Sequence, residues 1–357
     1  MTARSALYTR FCETVGIDWP IVQTGMGWVS GARLTAATSE AGGLGILASA
    51  TMSLPELEAA IHRVKERTVK PFGVNLRSDQ SDIADRVGLL VKEKVRLASF
   101  AAAPDRDTVN RLKDGGVLTM PTVGARRHAE KVATWGVDAV IAQGHEGGGH
   151  TGAVPTSILL PEVCRAVDIP VLGAGGFSDG RGLVAALAWG ASGVAMGTRF
   201  LLTKESTVPD AVKRVYLGTD VTGTVVTRAV DGWPQRVIRT PAIDRLERAG
   251  PLVAFLRSLG HALAYRKLVG LSFFGLLRQA LFAKKHGDLT LAQLVLAPSA
   301  PLLTRASLVD GRHEAGILPT GQIVGAIDEL PSVAELLQRI VREAEETLSR
   351  LGVVRNA

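Results

Sequence analysis

Eight short apolar runs of strand character recur along the first part of the chain, each followed by a stretch of helical spacing. They are Pro20 to Gln23, Gly45 to Ala48, Phe72 to Leu76, Val95 to Phe100, Val117 to Val123, Ala139 to Gln143, Pro170 to Gly173 and Gly193 to Met196. A period of roughly 20 to 30 residues per run is the length of a βα unit, and eight such units can close into a barrel of parallel strands. The helices carry their own start signals, such as the capping box Ser53-Leu-Pro-Glu56. With 46% hydrophobic residues and 39 glycines, the composition suits buried parallel strands joined by tight loops. The expected fold class is α/β, a (β/α)8 TIM barrel.

The rhythm stops after Phe200. Gly223 to Arg239 reads as a strand pair around the turn signal Asp231-Gly232, and Pro251 to Lys285 as an amphipathic, basic helical stretch. A final helix starts at Ser332, with Glu335 as its capping-box partner. The chain therefore divides into a barrel over 1–202, a smaller cap subdomain over 203–290 for the substrate, and a segment over 291–357 that packs back on the barrel. Extra helices with a solvated basic face are the alternative reading of the middle part.

The formal charge of +7 is local: Leu201 to Thr290 holds 14 Lys and Arg against 7 Asp and Glu, and the remainder holds 27 of each. A local excess favours a phosphate-bearing small ligand over nucleic acid, for which no matching motif is present. The two cysteines, Cys12 and Cys164, stand far apart without nearby His or Cys at ligand spacing, so neither a disulfide framework nor a metal site is expected. No long apolar run suggests a secretion signal or a membrane span, and a cytoplasmic setting is expected. A homodimer is possible, as for many soluble enzymes.

In such a barrel, chemistry collects at the carboxyl ends of the strands. The first run ends in Gln23-Thr-Gly25-Met26-Gly27-Trp28, where small residues admit a flat ligand and Met26 offers a soft contact. Asn75 closes the third run, either reading a heterocycle edge or capping its turn. The seventh and eighth runs lead into Gly175-Gly176 and Gly197-Thr198, where loop amides can converge on a phosphate. The sixth leads into Gln143-Gly-His-Glu-Gly147-Gly148-Gly149-His150. Three consecutive glycines are costly to order, which points to a loop held by a ligand or by close packing. His150 can act as acid, base or hydrogen-bond donor there, or stand merely exposed.

Together QTGMGWV, EAGGLGILAS, FGVN, GHEGGGHTG, GAGGFSDGRG and GVAMGTRFLLTKES resemble the nitronate monooxygenase and enoyl-ACP reductase family of FMN enzymes. The resemblance implies FMN as cofactor, with its phosphate near Gly175, Gly176, Gly197 and Thr198. It implies a flavin flanked by Gly25, Met26, Gly27, Asn75, Gln143, Gly148 and Gly149, and His150 as the active-site histidine. Thr24-Gly25-Met26-Gly27-Trp28 looks more like the thioester-reductase branch than the nitronate oxidisers. STVPDAVKRVYL and LVDGRHEAGILPTGQ are similar to actinobacterial CoA-ester enzymes of steroid-ring breakdown. That similarity implies hydride transfer at the α,β position of an acyl-CoA thioester, with NAD(P)H as redox partner. Nitronate oxidation with oxygen, or a phosphate-binding barrel without flavin, are the alternatives.

Overall fold

A computed structural model of the chain describes residues 6–101, 104–249 and 299–352. Eight parallel strands close on themselves: β1 (Ile21–Gln23), β2 (Leu44–Ala48), β3 (Phe72–Leu76), β4 (Leu97–Phe100), β5 (Leu118–Val123), β6 (Val140–Gln143), β8 (Val171–Ala174) and β9 (Gly193–Met196). Each of the eight expected runs becomes one of these strands, and β9 pairs with β1 to seal the ring. The strands are buried along nearly all of their length, because helices cover the outside and side chains fill the inside.

The interior is filled by Val22, Ile46, Leu97, Met120, Ile141, Leu172 and Ala195 from successive strands, and Phe11 and Cys12 of the short helix Arg10–Val15 join the same cluster. The amino-terminal helix is thus part of the barrel's own core. Both thiols are free; burial pushes Cys12 up and Cys164 up to about 11, so neither is a thiolate near neutrality.

A small strand β7 (Gly149–His150) branches from the loop after β6 and joins the hairpin β10 (Thr224–Thr227) and β11 (Gln235–Ile238) in an antiparallel sheet of order β10-β11-β7. The expected strand pair is therefore present, but it is built onto the barrel's own loop. Packing also runs on past residue 203, since Val208, Val212 and Tyr216 belong to the largest barrel cluster. The expected helical stretch Pro251 to Lys285 lies outside the described residues. Among the described residues, no helix is long and apolar enough to cross a membrane.

The helix Val333–Arg350 returns to the barrel and lies against Gly180–Ala188. Gly180 makes this approach possible: a Cβ there would lie 2.3 Å from the Ala344 nitrogen and the Ile340 oxygen. The capping box at its start holds as read, with Ser332 N donating to Glu335 at 2.7 Å and Glu335 N to Ser332 Oγ at 3.3 Å. Hydrogen bonds from Ser332, then Lys204, draw the Glu335 carboxyl down to about 2. A depressed carboxyl stabilises the fold above its ordinary value of 4.5 and loses that contribution as pH falls through about 2. Glu335→Gln is therefore expected to lower the thermal midpoint at pH 7 by more than at pH 2, and an equal drop at both would contradict the capping role.

Candidate functional site

The glycine loops at the carboxyl ends of the strands close on one another to form a single mouth. At Gly25, a Cβ would lie 2.3 Å from Asn75 Cβ, so the loop after β1 presses on the end of β3. A Cβ at Gly197 would meet Thr24 Oγ1 at 3.3 Å and Met26 Sδ at 3.4 Å, which joins the end of β9 to the same loop. Gly27 stands more freely, with only Thr51 in reach. Asn75 donates to Ser99 Oγ at 3.0 Å, and its carbonyl accepts from Ser49 Oγ at 2.6 Å. Its side chain is thereby fixed.

The loop after β6 is braced from three directions. Gln143 Nε2 donates to the His150 carbonyl at 2.7 Å and ties the loop's two ends together. His145 Nδ1 lies 2.8 Å from the Gly152 carbonyl, and the Glu146 carboxylate accepts from Thr156 N and Thr156 Oγ1, both at 2.9 Å. Glu146 thus caps the helix Thr156–Ala166. Gly148 backs directly onto the carboxyl-terminal segment, where its Cβ would lie 2.5 Å from Gly321 N and from the Thr320 carbonyl carbon. Gly149 has open space around it and φ +67, so it is glycine for its backbone conformation.

Gly175 and Gly176 are both left-handed, at φ +94 and +85. Their amides, and that of Gly197, donate to no acceptor among the described residues. Free, side-chain-shielded amides at adjacent strand ends are the donor set a phosphate needs. Thr198 is placed with them, but its hydroxyl already accepts from Gly321 N at 2.8 Å and contacts Thr320 Oγ1 at 3.3 Å. Its first task is to hold the returning Thr320-Gly321 segment against the mouth.

His150 is placed at the edge of this mouth by β7. Its Nε2 lies 2.7 Å from Asp231 Oδ2; the histidine side chain is 61% exposed and that of the aspartate 5%. A carboxylate only accepts, so the tautomer with its proton on Nε2 is the one that donates to Asp231 and leaves Nδ1 without that bond. Asp231 is itself held by Trp233 N, which donates to Oδ1 at 3.1 Å. Across the mouth, Asp79 in the loop after β3 is close enough to feel the charge of His150. Burial would raise the Asp79 carboxyl, but Arg77, the local backbone and His150 together hold it below its ordinary value.

Several of these contributors are not evident from the sequence. Asp231 read only as a turn residue, 81 positions from its partner, and Asp79 carried no signal at all. Trp28 is another: it takes φ +66, which costs a bulky residue about 1–3 kcal/mol. Its indole donates to the Pro301 carbonyl at 3.2 Å and lies under Arg305, which fastens the helix Ser299–Leu308 to the loop after β1. Two cations of the basic segment are engaged inside the fold. Lys213 is buried on the carbonyls of Thr203 and Ser206, and Arg236 is buried against Thr224 and the His145 carbonyl. Burial lowers both from their ordinary values, and both serve the fold.

The family profile described as nitronate monooxygenase matches residues 9–88 and 84–343, nearly the whole described chain. The chain belongs to the nitronate monooxygenase family. It is an oxidoreductase. Within that family it is 52% identical over 351 residues, 98% of this chain and 99% of the relative, to a Rhodococcus jostii protein described as (3aS,4S,5R,7aS)-5-hydroxy-7a-methyl-1-oxo-octahydro-1H-indene-4-carboxyl-CoA dehydrogenase. A Mycobacterium tuberculosis protein of the same description is 54% identical over 341 residues, 95% of this chain and 96% of the relative. The solved structure of FabK from Thermotoga maritima superposes with a TM-score of 0.81 at 35% identity, covering 97% of this chain and 99% of that one.

Proposed function

We propose that the chain is an FMN-dependent oxidoreductase acting at the α,β position of an acyl-CoA thioester. The acyl group is a hydroxylated methyl-indanone carboxylate of steroid-ring origin, the kind named for both bacterial relatives, and NAD(P)H is the partner nucleotide. The observation that carries this reading is the His150–Asp231 pair, set over the carboxyl ends of the barrel strands.

The residues at the mouth fit FMN. Gly175, Gly176 and Gly197 offer unpaired amides to its phosphate, with Thr198 bracing the loop. Gly25, Met26 and Gly27 would give a flat ring access to backbone, and Asn75, Gln143, Gly148 and Gly149 would complete its surround. Gln23 supports the fit independently: its Nε2 serves Ser30 Oγ and the Ile46 carbonyl, while its buried Oε1 has no donor among the described residues. A ligand N–H or O–H answers that orphan. When bound, FMN supplies the hydride acceptor or donor that no side chain can provide.

The protein's own part is proton chemistry and positioning. His150, held through Nε2 by Asp231, presents Nδ1 to the α-carbon and takes or returns the α-proton beside the thioester carbonyl. Asp231 keeps one tautomer and one ring orientation. Glu146, engaged at the start of Thr156–Ala166, holds the loop and takes no part in the transfer.

The CoA phosphates need cations that the fold has not already used. Arg228 is exposed in the hairpin turn three residues before Asp231. Arg228→Glu is expected to raise KM for the CoA ester roughly tenfold at low salt, with the effect shrinking as salt rises. A KM equal to wild type at low salt would remove Arg228 from the phosphate site. The function itself is tested by steady-state turnover of the hydroxy-methyl-indanone carboxyl-CoA ester, with NAD(P)+ as electron acceptor, against oxygen uptake with propionate-3-nitronate. Turnover of the ester is expected; oxygen uptake with the nitronate alone would favour nitronate oxidation instead.

A further inference from the structure

The strand that carries His150 pairs with a strand whose facing residue keeps an unsatisfied buried donor. Gln235 is the register partner of His150 on one side and of Thr227 on the other. Directly paired residues of an antiparallel sheet present their side chains on the same face, with Cβ atoms roughly 4.5–5.5 Å apart. Gln235 and His150 are therefore neighbours on one face.

Gln235 is only 3% exposed, and its Nε2 has no acceptor among the described residues. The nearby polar groups are already engaged. Thr227 Oγ1 accepts from Ala229 N at 3.1 Å, and the two Asp231 oxygens accept from His150 and from Trp233 N. Two residues further along the same face stands Val237, in the apolar cluster of Val230, Ile243 and Ile317. An apolar side chain at 235 would extend that cluster and remove an unsatisfied donor. A glutamine here works against stability, which is the signature of a residue kept for a ligand.

We propose that the side-chain amide of Gln235 donates a hydrogen bond to an acceptor oxygen of the acyl group bound at His150. The inference rests on the reading above that an acyl-CoA occupies this mouth. An N–H donor calls for a carbonyl or hydroxyl oxygen. The thioester carbonyl is one candidate, since negative charge builds on it when His150 takes the α-proton and a positioned donor then matters most. The ring hydroxyl is the other.

The test compares the wild-type holoenzyme with Gln235→Leu and the less branched Gln235→Met. It reads bound flavin, thermal midpoint, and kcat/KM for the hydroxy-methyl-indanone carboxyl-CoA ester and its analogue lacking the ring hydroxyl, with NAD(P)+ as electron acceptor. At least one variant is expected to keep flavin and to match or exceed the wild-type midpoint, while losing kcat/KM by roughly 10²-fold. A loss with both esters assigns the donor to the thioester carbonyl, and a loss confined to the hydroxylated ester assigns it to the ring hydroxyl. A lowered midpoint in both variants shows that the amide serves the fold and overturns the inference, as does an unchanged kcat/KM. A wild-type enzyme that turns over neither ester overturns the functional reading and this inference with it. An active wild type beside equally active variants overturns the inference alone.

Discussion

His150→Ala is expected to keep its bound FMN and to lose acyl-CoA turnover by about 10²–10⁴-fold, the usual contribution of a positioned acid or base. Flavin retention follows from where the residue sits. The phosphate amides belong to Gly175, Gly176 and Gly197, and the tie from Gln143 to position 150 goes to the backbone carbonyl, which alanine also provides. Asp231→Asn tests the pair from the other side. An amide can place either its oxygen or its nitrogen toward the ring, so the tautomer is no longer enforced and kcat should fall with little change in KM. Stopped-flow turnover with absorbance of the bound flavin reads both variants. A His150→Ala enzyme as fast as wild type would remove the proposed role.

The second large effect is structural and local. Gly148→Ala places a methyl 2.5 Å from Gly321 N and from the Thr320 carbonyl carbon. Both neighbours are backbone, and they are fixed by the Thr198 hydroxyl and by Gln322 N donating to the Glu146 carbonyl at 2.9 Å. Nothing flexible can yield, so the loop and the returning segment must separate, at a cost of about 1–3 kcal/mol in stability. Separation opens the mouth, and weaker FMN retention on gel filtration is the expected readout together with a lower thermal midpoint. Gly149→Ala makes the contrast, because its strain comes from φ +67 alone and no neighbour lies within 4 Å. If Gly148→Ala retained flavin and midpoint while Gly149→Ala did not, the account of the contact would be wrong.

The barrel was legible because its signal is local and repeated. Each strand is a short apolar run read within a few residues, and the eight runs needed only a right-handed succession to close. The glycines of the mouth were legible for the same reason, since Gly175 and Gly197 follow strand ends directly. Asp231 was not. Its turn residues were plain, but its bond to His150 exists only because β7 leaves the barrel loop to pair with β11, a choice made by tertiary packing. Asp79 was hidden likewise, since it comes within range of the His150 charge through the fold rather than through spacing. The use of each cation was hidden for a related reason: composition counts cations without showing that Lys213 and Arg236 are spent on carbonyls inside the fold.

The central claim is that this mouth holds FMN and exchanges hydride with an acyl-CoA. It is tested most directly by following the visible absorbance of the purified protein anaerobically while the hydroxy-methyl-indanone carboxyl-CoA ester is added. The account predicts a yellow protein whose flavin band bleaches on addition of the saturated ester and returns with the unsaturated product, in wild type but about 10²–10⁴-fold more slowly in His150→Ala. A protein that stays colourless with excess FMN, or a flavin band that ignores the ester and bleaches only with a nitronate, would contradict it.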